Sequence, residues 1–262
     1  MSEPPRPDYG LDAPGVVRNL LLAAALGFGL WITTALGLWS GRLAVGPIGG
    51  IRLAFPLGSI GLLVGLLTSG MALWMIWTSK VGKLHARERL LDQIAWTGSE
   101  RVLDVGCGRG LMLVGAAKRL TTGKAVGIDI WQAEDLSGNR PEATLDNARR
   151  EGVADRVEVE TADMRQIPFP DASFDVVVSS VAIHNVYSAD GRAQVMRHIA
   201  RVLKPGGVTL IDDIRHGGEY AAGLAQHGCR EIERLDSAVA GFLLTLLTFG
   251  SLRPVTLKAR KA

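Results

Sequence analysis

Hydrophobic and polar positions follow two regimes that change at Lys80. Before it, Leu20 to Trp39 runs 20 residues without a charge, and Phe55 to Trp77 is a second uncharged run. Each matches the roughly 20 residues that a helix needs to cross about 30 Å of hydrocarbon. The first run is too long for a signal-peptide core and has no small-residue cleavage site, so an uncleaved helix is expected. Ser40 to Ala54 carries Arg42, Arg52, Pro47 and several glycines, which predicts a short polar turn. The pattern therefore predicts a transmembrane helical hairpin over residues 16–79, with spans at about 20–39 and 55–77. The competing assignment, a buried helical hairpin of a soluble protein, fits two such long runs poorly. Residues 1–15 hold Pro4, Pro5, Pro7 and Pro14 with almost nothing apolar to bury, and a disordered tail is expected there.

Small residues recur at four-residue spacing, Ala23 and Gly27 in the first run, Gly61, Gly65 and Ser69 in the second. Such spacing lets helix backbones approach closely in lipid. It serves either the two helices of one chain or a homodimer through Gly61 and Gly65. Lys80, Lys83, Arg87 and Arg89 follow the second run and outweigh Arg42 and Arg52. The positive-inside rule then places both termini in the cytoplasm, making the chain a multi-pass membrane protein with its polar part on the cytoplasmic side.

Beyond Lys80 the pattern changes to short apolar strands alternating with amphipathic stretches. Lys80 to Trp96, with Leu84, Leu90, Leu91 and Ile94 among charges, predicts an amphipathic helix. From Arg101 on, strands are expected at 102–105, 125–130, 157–161, 174–180 and 208–213. Helices are expected at 111–120, 141–151 and 195–203. Strands alternating with helices predict a parallel sheet covered on both faces, an α/β fold. The 262 residues leave room for one such domain beside the hairpin. A net charge of +3 without a basic, aromatic-laced run gives no reason to expect a nucleic-acid partner. Two cysteines exclude a disulfide framework, and five scattered histidines predict no metal site.

The candidate chemistry starts at Val102-Leu-Asp-Val-Gly-Cys-Gly-Arg-Gly110, a buried-strand run that breaks into alternating glycines. Glycines at 106, 108 and 110 let the backbone turn sharply, and the helix after them presents unpaired N–H groups and a positive dipole end. The dinucleotide fingerprint wants its third glycine one residue later than Gly110, which argues against NAD. Asp129, ending the next strand, suits the two hydroxyls of a ribose.

The Asp104-x-Gly106-x-Gly108-x-Gly110 pattern resembles the first motif of class I S-adenosylmethionine-dependent methyltransferases. Ala162-Asp163-Met164, Pro170 to Ser180 and Arg201 to Gly207 are similar to further segments of that family, in the same order. The resemblance spans roughly residues 83–261 and implies a Rossmann-like seven-stranded α/β/α sandwich over residues 80–262. It also implies a cofactor, S-adenosyl-L-methionine. Asp104 would hold its methionine ammonium end, with Gly106, Cys107, Gly108 and Gly110 around the methionine portion. Asp129 would take the ribose and Ile130 would pack on the adenine. Asp163 would take the adenine amino group, and the backbone of Met164 a ring nitrogen. Ser180 would line the methyl-transfer pocket.

The Asn/Asp-Pro-Pro-Tyr/Phe motif of many amine methyltransferases is absent after the fourth strand, where the chain reads Ser179-Ser-Val-Ala-Ile-His-Asn185. That segment looks like the small-molecule and quinone-biosynthesis branches, which implies a small or lipid-soluble acceptor. His184 is the candidate general base, since imidazole titrates near neutral pH. A pocket-wall histidine with no proton role is the alternative. Val239 to Phe249 is an apolar insert too short to span a bilayer, either core or an interfacial loop. Two other functions compete: an NAD(P)-dependent oxidoreductase, disfavoured by the glycine register, and a noncatalytic membrane scaffold, disfavoured by intact Asp104, Asp129 and Asp163.

Overall fold

In the computed structural model, which describes residues 6–48, 51–235 and 252–262, the chain divides into two units. Residues 10–83 and 134–137 make the smaller one. Its α1 (Pro14–Ala35) and α2 (Leu57–Trp77) are 22 and 21 residues long, long and apolar enough to cross a membrane. The first helix starts and ends earlier than its hydropathy suggests, because Pro14 suits a first helical turn. The two helices pack on their glycines. A Cβ at Gly27 would lie 2.6 Å from the Gly61 carbonyl oxygen, and one at Gly61 would lie 2.7 Å from that of Gly27. At Gly65 it would meet the Phe28 ring. The face expected to serve a homodimer is therefore taken by α1 of the same chain.

Two further expectations for this unit need correction. The segment 40–54 holds an antiparallel hairpin, β1 (Leu43–Ile48) and β2 (Ile51–Phe55), with Leu43 opposite Phe55. The tail is also ordered where it is described. Asp12 bridges to Leu136, its carboxylate accepts from Ser79 Oγ and Lys83 Nζ, and Ala13 N–H donates to the Asp135 carbonyl. A stretch with little to bury is held here by backbone and carboxylate hydrogen bonds, which composition does not report.

The larger unit begins with residues 6–9, continues at Leu84, and takes in nearly all the rest. After a π-type turn at Thr78–Gly82, α3 (Lys83–Leu91) stops short of the expected Trp96, whose indole N–H donates to the Leu91 carbonyl. Then come β3 (Arg101–Val105), α4 (Leu111–Ala117), β4 (Lys124–Asp129), α5 (Pro141–Arg150), β5 (Val157–Thr161), β6 (Phe174–Ser180) and α6 (Ala189–Val202). The unit closes with β7 (Leu203–Asp213), α7 (Gly217–Gln226), β8 (Cys229–Arg234) and β9 (Val255–Lys261). Here α6 starts six residues before the expected Val195, because Ser188 caps it by accepting from Gly191 N–H. The insert Val239 to Phe249 lies outside the described residues.

The seven strands order as β5-β4-β3-β6-β7-β9-β8, parallel except where β9 runs antiparallel to both neighbours. Side chains alternate between two cores. Leu103, Val105, Val126, Ile128 and Val177 join α6 and α7 through Val195, Ile199 and Leu224. Val102, Ala125, Val176 and Val178 join α3, α4 and α5 through Leu91, Leu113 and Ala148. This is the period-two signature of a sheet buried on both faces. Strand order reverses between β3 and β6, so the loops leaving their carboxyl ends diverge and open a crevice where ligands of such sheets bind.

Residues 6–9 of this unit strap onto it. Tyr9 is buried; its hydroxyl donates to Glu151 at 2.7 Å and accepts from Arg87. Asp8 accepts from Arg109 at 3.0 Å.

The glycine seam between α1 and α2 predicts that Gly61→Val forces the helices apart. Overpacking of this kind costs about 1–3 kcal/mol. Thermal melts in detergent are expected to show a lower midpoint for Gly61→Val and no change for Gly29→Val, whose Cβ would meet nothing within 4 Å.

Candidate active site

The chain leaves β3 through a tight loop whose backbone is left-handed at Gly106, Gly108 and Gly110. Only glycine adopts these angles without strain. Two of the three also make room for protein atoms: a Cβ at Gly106 would lie 2.4 Å from that of Ala182, and one at Gly110 would lie 2.8 Å from Thr144. Four of the loop's amides are spent inside the fold. Gly106 and Cys107 both donate to the Ile128 carbonyl, Gly108 to Asp129, and Gly110 to the Cys107 carbonyl. Phosphate cradles need free amides, so this internal use argues against a pyrophosphate.

Asp104 is buried, and its carboxylate accepts from Leu113 N–H at 2.8 Å, tying α4 back to β3. Burial pushes its pKa up to about 8, opposed by that hydrogen bond and assisted by the charge of Asp129. Among the described residues neither Asp104 nor Asp129 forms an ion pair. The cation carried by the loop itself, Arg109, is turned to Asp8. Cys107 differs from expectation: its side chain is buried, with Sγ 2.7 Å from where a Cβ at Gly127 would sit. Burial, then Asp104 and Asp129, push its thiol well above the ordinary range. The thiol is core, and only the backbone of Cys107 belongs to the loop.

Asp129 ends β4 half-buried, accepting from Gly108 N–H at 2.8 Å and Trp131 N–H at 2.6 Å. Asn139 Nδ2 approaches the same carboxylate at 3.3 Å, while Asn139 Oδ1 is buried without a hydrogen-bond partner. A fixed carboxylate beside an orphaned amide acceptor fits a ribose diol. Next to it Ile130 is half-exposed, an apolar surface open for a flat ring. Across β5, Asp163 is occupied: it accepts from Arg165 N–H and is paired with the exposed Arg165 guanidinium, which holds its pKa below the usual carboxylate range. An adenine amino group would share that carboxylate with Arg165. Met164 packs its Cε toward Gly106.

The far wall of the crevice is the segment after β6. Ser180 Oγ lies 3.5 Å from Asp212 Oδ2. Val181 is left-handed at φ +50°, rare for a β-branched residue and costing of order 1–3 kcal/mol. That turn brings Ala182 against Gly106 and carries His184 onto β7. His184 Nδ1 sits 2.6 Å from Asp213 Oδ1, and its backbone N–H donates to Asp213 Oδ2 at 3.0 Å. Tyr220 donates to the same carboxylate, as does Ile214 N–H.

Asp213, Tyr220, Asn139 and Trp131 escape sequence reasoning. The one available signal was the acid pair Asp212-Asp213 at the carboxyl end of a parallel strand, the edge where ligands bind.

Residues 103–211 match the family model described as a methyltransferase domain. Over 158 residues the chain is 34% identical to methyltransferase GfsG of Streptomyces halstedii, covering 57% of this chain and 53% of that protein. It is 33% identical over 126 residues to the ubiquinone/menaquinone biosynthesis C-methyltransferase UbiE of Geobacter sulfurreducens, covering 48% and 46% respectively. The chain thus spans about half the length of these curated relatives. Its fold is similar to that of a geranyl diphosphate methyltransferase solved in complex with SAM. The TM-score is 0.52 at 19% identity, over 68% of this chain and 85% of that one. Residues 103–211 are thus similar to a methyltransferase domain, and a neighbour of similar fold was solved in complex with SAM. A carboxylate-rich, cation-poor crevice with an orphaned acceptor beside Asp129 fits a cofactor that carries positive charge and a ribose.

The raised Asp104 fixes the sign of a pH effect. With a folded pKa near 8 against 3.8 unfolded, the protonated acid contributes stability that is full below about pH 4 and lost as pH rises through 8. Asp104→Asn keeps an acceptor for Leu113 and removes the titration. Urea melts of the ligand-free protein at pH 5 and pH 8 are expected to show the variant gaining on the parent across that window.

Proposed function

We propose that this protein transfers a methyl group from S-adenosyl-L-methionine to a small, lipid-soluble acceptor at the cytoplasmic face of a membrane. The observation that carries the chemistry is the pair Asp104 and Asp129, two carboxylates without a cationic partner at the carboxyl ends of adjacent central strands. When bound, the cofactor supplies an electrophilic methyl on a sulfonium. The chain's own residues have the simpler tasks of holding it and excluding alternatives. Asp129 with Asn139 fixes the ribose, Ile130 covers one face of the adenine, and the negative crevice favours the ammonium and sulfonium ends. Much of the acceleration in such a displacement comes from aligning acceptor and methyl.

The membrane reading rests on α1 and α2. Leu26 is 77% exposed, Leu67 and Leu73 64%, and Trp74 60%. Burying each such side chain is worth about 1.5–3 kcal/mol, so a helix pair showing this much apolar surface favours hydrocarbon around it. Lys80, Lys83, Arg87 and Arg89 after α2 support a cytoplasmic placement of the methyltransferase domain. A relative named for quinone biosynthesis, a lipid-soluble class, supports the choice of acceptor. So does the chain's investment in two apolar helices, which a freely soluble substrate does not require.

Calorimetry is expected to show binding of S-adenosylhomocysteine, about 10- to 100-fold weaker in Asp129→Ala, from the loss of charge-assisted hydrogen bonds worth about 1.5–3 kcal/mol. Saturable NAD binding with no response to the sulfur compound would favour an oxidoreductase instead. For topology, a cysteine placed at Gly46 is expected to react with an impermeant reagent on intact cells, and cysteines at Ser2 and Ala262 only after lysis. Labelling of either end from outside would reverse the orientation.

A further inference from the structure

We infer that Asp8 is a positioning residue for the cation of the glycine loop: by holding Arg109 on the N-terminal strap it keeps the crevice negative, and so sets the preference of the site for positively charged S-adenosyl-L-methionine over its neutral product, S-adenosylhomocysteine. This rests on the methyltransferase reading and deepens it. Arg109 stands between Gly108, whose N–H donates to Asp129, and Gly110. Its guanidinium donates through Nη2 to Asp8 Oδ2 at 3.0 Å. Its Nη1 lies 3.1 Å from where a Cβ at Gly138 would sit, one residue before the Asn139 that approaches Asp129 at 3.3 Å. The positive charge of the loop is thus held next to the ribose acid, on a carboxylate supplied by a segment far away in sequence.

The strap is built to keep that carboxylate in place. Asn147, buried on α5, uses its whole amide there: Oδ1 accepts from Asp8 N–H, and Nδ2 donates to the carbonyls of Asp8 and of Arg109, each at 2.9 Å. One buried side chain therefore fixes the backbone of both members of the ion pair. Thr144, three residues earlier on α5 and also buried, donates to the Gly108 carbonyl at 2.6 Å. Beyond Asp8, the buried Tyr9 hydroxyl donates to Glu151 and accepts from Arg87. Buried polar groups are costly to leave unpaired, so strap, helix and loop hold together as one unit. The ion pair itself adds little to stability, because the Asp8 side chain is 43% exposed and such pairs are largely screened. Its leverage lies in where the guanidinium points.

When the methyl leaves, the carbon–sulfur electron pair stays on sulfur, and a sulfonium becomes a neutral thioether. Cofactor and product therefore differ by one positive charge and one methyl group, and share their ribose, adenine and amino-acid parts. Interactions common to both cancel in the ratio of their affinities, whereas a fixed charge beside the site does not. With Asp8 in place, the Asp8–Arg109 pair is neutral, and Asp129, with Asp104 when it is ionised, sets the sign of the crevice. Without the Asp8 carboxylate, Arg109 keeps its charge, since a guanidinium does not deprotonate in a protein. The nearby acids then attract it, and a sulfonium entering the crevice meets a cation. At the effective dielectric of a half-buried site one such charge shifts an equilibrium roughly tenfold, and salt weakens the shift.

The test is calorimetry of the full-length protein in detergent with S-adenosylmethionine and S-adenosylhomocysteine, read as the ratio of their affinities. Asp8→Asn is expected to weaken the sulfonium compound about tenfold and the thioether less than about twofold, a difference that shrinks at high salt. Asp8→Glu is expected to keep the parental ratio. Adding Arg109→Gln to Asp8→Asn removes both charges and is expected to bring the ratio back to within about twofold of the parent. Arg109→Gln alone, which leaves Asp8 in place, is expected to raise the ratio in favour of the sulfonium, and reads the same charge from the other side should Asp8→Asn loosen the fold. Tyr9→Phe slackens the strap without touching the ion pair; a lower melting midpoint with an unchanged ratio is expected. Equal weakening of both ligands in Asp8→Asn, unrelieved by the Arg109 change, would assign the strap a purely structural role and overturn the inference. Equal loss of both in Arg109→Gln alone would make the guanidinium a direct ligand of their shared carboxylate and overturn it as well. Binding of neither compound by the parent would instead overturn the methyltransferase reading on which the inference depends.

Discussion

The hydrogen bond from Leu113 N–H to the buried carboxylate of Asp104 is the constraint on which the ligand edge depends. Central strand β3 is buried from Val102 to Val105, and the chain must reverse immediately beyond it into α4. A carboxylate at the fourth position of the strand reaches across that reversal and holds the first turn of the helix, while three left-handed glycines supply the angles. The cost is a desolvated acid whose charge is disfavoured in the free protein. Under the proposed function, a cationic ligand end in the crevice would relieve that cost. Structure and affinity are thus coupled through one side chain.

That anchor also sets the opposite wall. Without a side chain at Gly106, Ala182 sits against the loop, and the segment after β6 is drawn close enough for His184 to meet the end of β7. Gly106 therefore acts on the crevice from both sides: it shapes the glycine loop and admits the segment that carries the His184 ring. A β-methyl at this position would push on the His–Asp pair as well as on the loop.

Much of this was legible in the sequence because it is periodic or local. The strands at 157–161 and 174–180 fall where the sequence pattern placed them: Val157 and Val159 alternate with exposed glutamates on an edge strand, and 174–180 is a central apolar run buried on both faces. The three glycines announce their loop because few other residues fit its angles. What could not be read depends on pairing at a distance. Asp213 meets His184 across 29 residues, and Asn139 meets Asp129 through a loop with no periodicity. Cys107 was assigned by its neighbours in sequence, whereas its rotamer was decided by the space over Gly127 on the next strand. The hairpin β1–β2 was hidden by its glycines, proline and two arginines, which outweighed the alternating apolar residues between them.

The position of β9 has a consequence for how the protein is made. The last of the seven strands to be synthesised lies between β7 and β8, hydrogen-bonded to both. Until Val255 to Lys261 has left the ribosome, β7 offers an open edge, and β8 has no strand to join. Such an edge is a template for unwanted pairing. The hydrophobic helices, translated first, are by then already competing for lipid if the proposed membrane setting holds. Biosynthesis in that setting passes through a species with its first segments committed to the bilayer and its sheet unsealed, and a nascent chain arrested or cleaved before Val255 would be retained in that state as a substrate for quality control.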